Sequence, residues 1–110
     1  MTTQETLGHH LQAFGEGIDS IMSDYVEESV LFTPDGPLTG LASIRTFFND
    51  FLTKSPPALL QALTVTRQDY HGEFAYLHWK AAPFIPFASD TFVVRDGKIV
   101  LQSVALFGGG

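Results

Sequence analysis

The sequence has no cysteine. Disulfides, thiolate nucleophiles and cysteine-based metal sites are therefore excluded. Basic residues are scarce: six Lys and Arg stand against twelve Asp and Glu, a formal net charge of −6. Nucleic acid and anionic membrane surfaces both call for clustered cations, so neither is an expected partner. No apolar run reaches the length of a membrane span. Met1 to Thr6 lacks a basic start and an apolar stretch, so no signal peptide is expected and a cytoplasmic protein is the expectation. There is no Gly-rich phosphate loop, no His-Glu pair at metalloprotease spacing and no nucleophile-elbow serine. His9 and His10 are adjacent, so on a helix they point to different sides and chelate one metal poorly. No metal and no cofactor is expected.

What is present suits a small packed domain. Apolar residues make up 45% of the 110, and ten are Phe, which can line a core or an apolar cavity without a hydrogen-bonding cost. Charged residues are only 16%, too few for a disordered chain. One domain over residues 1–107 is expected, followed by Gly108-Gly109-Gly110 as a flexible tail.

Leu7, Leu11, Phe14 and Ile18 fall at helical spacing with His10 on the same face, which predicts a helix from about Thr3 to Phe14. Gly15 and Gly17 break it. Asp19 and Ser20 are candidate caps for a short second helix through Ile21, Met22 and Tyr25, ending at Glu27-Glu28-Ser29. Val30 to Thr33 reads as a short strand, and Pro34-Asp35-Gly36-Pro37 as a turn. Gly40 precedes a third helix whose broad apolar face carries Leu41, Ile44, Phe47, Phe48, Phe51 and Leu52. Ser55-Pro56-Pro57 stops it. Strands follow at Ala62 to Gln68, Phe74 to Ala82, Asp90 to Arg95 and Ile99 to Phe107, with turns at His71-Gly72 and Asp96-Gly97. Pro83 and Pro86 mark an edge or a bulged connection. Three helices followed by an antiparallel meander is an α+β pattern.

Ile18 to Met22, Tyr25 and Ser29 to Phe32 resemble the second helix and first strand of nuclear transport factor 2-like proteins. Gly40 to Phe48 resembles their third helix, and Asp90 to Ile99 their last hairpin. The order and spacing are similar across nearly the whole chain, in the style of SnoaL-like polyketide cyclases and ketosteroid isomerase-like proteins. The resemblance implies a cone: a curved antiparallel sheet wrapped around N-terminal helices, its open end holding a small apolar molecule. It also implies a homodimer through the sheet. Isomerases, cyclases, dehydratases and plain binding proteins share this fold, so it does not by itself name a reaction.

Asp90 begins an apolar strand, with Phe92 and Val94 on its side. If that side faces the cavity, desolvation raises its pKa and keeps it protonated. Ketosteroid isomerase uses a protonated Asp of this sort to donate a hydrogen bond to an enolate oxygen. The other reading is a strand-start Asp bonded to the preceding loop. Where that enzyme keeps its proton-abstracting Asp, this chain has Thr33, which is no base at neutral pH. His10 is the candidate base, with helical phase favouring it over His9; the alternative is a core histidine bonded to a backbone carbonyl. Leu77, Trp79, Phe92, Phe47 and Phe51 are candidate pocket walls, with Tyr25 and Thr33 near the pocket, although ordinary core packing explains the aromatics as well. His78 falls on the other strand face, suited to an interface, and Arg45 reads as a solvated or salt-bridged helix residue. Two functions stay open: a cofactor-independent isomerase, cyclase or dehydratase acting on a small carbonyl compound, and a non-catalytic ligand-binding or dimeric interaction module.

Overall fold

A computed structural model describes residues 1–107, so the expected Gly108–Gly110 tail lies outside the described residues. The first helix, α1 (Thr3–Ala13), begins with a reciprocal cap. The Glu5 amide donates to Thr2 Oγ1 at 3.0 Å, and the Thr2 amide donates to Glu5 Oε1 at 2.8 Å. Its apolar face buries Leu7, His10 and Ala13. The second helix, α2 (Ile18–Met22), starts after Gly17. Asp19 and Ser20 therefore lie inside it and do not cap it; Asp19 instead pairs with the exposed Arg45.

Tyr25 is not the end of that helix. It opens β1 (Tyr25–Thr33), which turns at Pro34-Asp35 into β2 (Gly36–Thr39), a strand the turn-rich sequence hides. Next come α3 (Leu41–Lys54) and a fourth, unexpected helix, α4 (Pro57–Ala62). Pro57 occupies its first turn, where a missing amide proton costs nothing, so the same Pro pair that stops one helix starts another.

Four strands complete the chain: β3 (Leu63–His71), β4 (Phe74–Ala81), β5 (Ile85–Arg95) and β6 (Lys98–Phe107). His71 pairs with Phe74, so the turn is Gly72-Glu73, one residue later than expected. The six strands form one sheet in the order β2-β1-β6-β5-β4-β3. Four of its pairings are antiparallel, as expected, and the β1–β6 pairing is parallel. Register shifts interrupt four of the five pairings, and such bulges bend and twist a sheet. In β1, Ser29 fills the break: its hydroxyl accepts from the Val26 amide at 3.0 Å and donates to the Ile99 carbonyl at 2.6 Å.

The concave face of the sheet packs on the helices. Leu7, Ile21, Leu31, Ile44, Leu77, Phe92 and Ile99 are fully buried there. Among the described residues no helix is long and apolar enough to cross a membrane.

Candidate functional site

Strand alternation puts Leu77 and Trp79 of β4, Asp90 and Phe92 of β5, and Gln102 and Val104 of β6 on the concave face. The helices close over them. Together these elements enclose a cavity of about 370 Å³. His10 and Phe14 of α1, Phe47, Phe48 and Phe51 of α3, Leu60 of α4, and Leu63 and Val65 of β3 supply the rest of the wall. The size lies near the lower end of the range for small-molecule sites. Among the described residues, no Lys or Arg lines it.

Asp90 is 8% exposed and its carboxyl is held from both sides. Trp79 Nε1 donates to Oδ1 at 2.9 Å, and Gln102 Nε2 donates to Oδ2 at 3.0 Å. Its partners are thus neighbouring strands, not the preceding loop. Burial pushes its pKa above the ordinary carboxylate value, against the two donated hydrogen bonds and the opposing charge of His10. Each N–H occupies one lone pair of its oxygen, so the carboxyl keeps capacity for a further partner.

His10, not His9, faces the cavity, as helical phase favours. The residue is 2% exposed, and its ring stands edge-on to four aromatic rings, at centroid distances of 5.2 Å to Phe14, 5.8 Å to Tyr25, 6.1 Å to Phe48 and 5.7 Å to Phe92. It is not bonded to a backbone carbonyl; its Nδ1 has no hydrogen-bond partner.

The remaining expected site residues divide into three groups. Phe47, Phe51, Leu77, Trp79 and Phe92 line the same cavity as His10 and Asp90. Tyr25 does not line it. The Tyr25 hydroxyl lies behind the wall and donates to Gln102 Oε1, and burial holds its pKa well above the ordinary phenol value. Thr33 does not line the cavity either. It ends β1, donating to the Gly36 carbonyl at 2.8 Å and accepting from the Asp35 amide at 3.1 Å, which are the bonds of a turn. His78 lies on the convex face, its Nε2 2.8 Å from Tyr76 Oη.

Two polar residues escape the sequence reading. Gln102 is 1% exposed and links Asp90 to Tyr25. A lone Gln in the apolar run of β6 is the signal, masked because the register shift at Val100 reverses which face the later residues occupy. Asp24, 4% exposed, sits between α2 and β1 beside both His9 and His10.

No protein-family model and no curated protein matches the sequence. Solved structures match over nearly the full chain. A SnoaL-like protein of unknown function from Burkholderia thailandensis has a TM-score of 0.77 at 16% identity, covering 96% of this chain and 95% of that one. A candidate polyketide cyclase from Sinorhizobium meliloti has a TM-score of 0.77 at 13% identity, covering 92% and 94%. A candidate ketosteroid isomerase from Kribbella flavida has a TM-score of 0.73 at 16% identity, covering 98% and 79%. The similarity read from the sequence is thus matched by a similarity of fold.

Proposed function

We propose that this chain, which has the nuclear transport factor 2-like fold, binds a small apolar molecule bearing a carbonyl or phenol oxygen. Asp90 and His10 act on that molecule, and Phe47, Phe51, Leu77, Trp79 and Phe92 are the walls that hold it. One observation carries the reading: a carboxyl group and an imidazole line a single cavity that is otherwise nearly all apolar. The carboxyl is biased by burial toward its neutral form, which can donate a hydrogen bond to a ligand oxygen. With a carbonyl compound, His10 takes a proton from the carbon next to the carbonyl. The electron pair moves into an enolate whose oxygen Asp90 stabilises by donating a hydrogen bond, and the imidazolium returns the proton to the α-carbon or, where a β,γ double bond extends the enolate, to the γ-carbon. No cofactor enters this cycle. The Sinorhizobium and Kribbella neighbours, a candidate polyketide cyclase and a candidate ketosteroid isomerase, support chemistry of this class.

A second reading is non-catalytic binding in the same cavity. The observation that favours it is Thr33, which stands where ketosteroid isomerase places its base and here serves only a turn.

The test begins with Asp90. Carbon-detected NMR titration of its carboxyl is expected to give a pKa above about 3.9. Asp90→Asn keeps a donor and is expected to retain binding of a phenol probe such as naphthol, whereas Asp90→Leu loses it. An unshifted Asp90 together with equal affinities of the Asn and Leu variants would remove Asp90 from the site. Proton exchange of a ketone probe by the wild type separates catalysis from binding alone.

We also propose a homodimer through the convex face of the sheet, where Phe32, Phe74, Tyr76, Phe87 and Phe107 are all exposed.

A further inference from the structure

The cavity explains His10 and Asp90 but leaves a third buried ionisable group, Asp24, without a task. Its backbone is pinned on both sides: its amide donates to the Ile21 carbonyl at 3.2 Å, and its carbonyl accepts from the Ile99 amide at 2.7 Å. Its side chain is almost wholly withdrawn from solvent, 6% exposed. Oδ1 is satisfied by His9 Nδ1 at 2.7 Å. Oδ2 is not satisfied: it is buried with no hydrogen-bond partner. The other buried side-chain atom in that condition, among the described residues, is His10 Nδ1, and the two are 3.7 Å apart. Leaving either group unpaired costs about 1–3 kcal/mol, so each is the other's missing partner across a gap slightly too long for a hydrogen bond. Hydrogen bonds of this kind are often long in a ligand-free site and shorten when it fills.

We infer that Asp24 is a positioning residue for His10, holding its imidazole in the Nδ1–H tautomer so that Nε2 meets the cavity as a bare acceptor. Asp24 does not line the cavity and so does not touch a ligand there. Nδ1 points back toward it, which leaves the opposite ring edge, carrying Nε2, for the cavity side. A neutral imidazole has one donor and one acceptor nitrogen, and the acceptor that its fixed partner selects decides which is which. When His10 takes a proton, the imidazolium forms next to a carboxylate already in place. His9, on the far side, keeps that carboxylate in its orientation with a side chain 36% exposed to solvent. The groups facing Asp24 are therefore His9 and His10 from α1, and Tyr25, whose ionisation its charge opposes.

This inference rests on His10 being the cavity base, and its test keeps the two apart. Long-range proton–nitrogen correlation spectra, recorded above the histidine titration range, read the tautomer directly. Wild-type His10 is expected as Nδ1–H, and this needs no variant to fold. In Asp24→Asn one oxygen must serve two histidines, so the His10 population is expected to move toward Nε2–H. Deuterium exchange at the α-carbon of β-tetralone is then expected to fall about tenfold or more, with a change in its dissociation constant of less than about twofold. A purely structural Asp24 would not divide rate from affinity in this way. Wild-type His10 in the Nε2–H form, or a tautomer unmoved by Asp24→Asn, overturns the inference. Equal exchange by wild type and His10→Gln would instead remove His10 as the base, while the tautomer result still decides the role of Asp24.

Discussion

A carboxyl group whose pKa burial raises changes stability with pH in the opposite sense to one held by a cation. For Asp90 the folded-state pKa is raised, with burial as the largest cause. Below the ordinary carboxylate value the group is neutral in both the folded and unfolded chain, and nothing is lost. As pH rises through that value the unfolded chain releases the proton first, and stability falls until the raised folded-state pKa is passed. Asp90→Asn cannot ionise, so its stability relative to wild type is expected to improve as pH rises from the carboxylate range to neutrality. Urea midpoints measured at several pH values check this. A constant difference would mean that the two donors, Trp79 and Gln102, fully offset burial, and a trend of the opposite sign that they outweigh it. The sequence made Asp90 legible as a lone acid heading an apolar strand, but not its donors. Trp79 sits directly on the neighbouring strand, whereas Gln102 comes into reach only through the register shift at Val100. Asp24 was invisible for a related reason, because its neighbours His9 and His10 lie on a different element fourteen or more residues earlier.

Elements defined by their own residues were the easiest to read, and those defined by a distant partner the hardest. The apolar spacing of α1 and α3 is a local property, and both helices fall where that spacing puts them. Tyr25 is strand because β1 lies against β6, with Tyr25 opposite Ile99, and no local pattern announces that pairing. The junction at Gly40 shows how tightly these contacts constrain the chain. Gly40 has φ +89°, and a Cβ there would lie 2.6 Å from Glu27 Oε1. The same Glu27 carboxylate reaches the exposed amide of Leu41 at the start of α3, at 3.4 Å. Gly40→Ala is therefore expected to destabilise the fold by about 1–3 kcal/mol, from backbone strain and displacement of that carboxylate. Denaturant unfolding measures it; a loss below a few tenths of a kcal/mol would show that Glu27 moves aside freely.

For the whole molecule, the two faces of the sheet pose different problems. The concave face is covered by helices and holds the cavity. On the convex face Phe74 is 55% exposed and Phe107 49%, and Phe87 packs between His78 and Phe107 at ring distances of 4.8 Å and 5.3 Å. Surface aromatics stacked in this way present a contiguous patch larger than scattered exposure accounts for. Light scattering at micromolar concentration is expected to return twice the chain mass, and Phe87→Asp to return the chain mass. A wild-type monomer would leave the convex face without the proposed role.

The parallel β1–β6 pairing has a temporal consequence. β6, last of the described strands, does not lie at an edge; it fills the centre of the sheet between β1 and β5. While a ribosome is still making it, the β1–β2 ribbon has nothing to join, and the β3–β4–β5 meander is a separate piece. Closing the sheet brings Leu31 opposite Gln102, a long loop to close and a slow step by its topology. A nascent chain arrested before Lys98 is expected to stay protease-sensitive throughout, and one released after Phe107 to become resistant in a single step. Gradual acquisition of resistance with length would show that the two halves fold without their keystone.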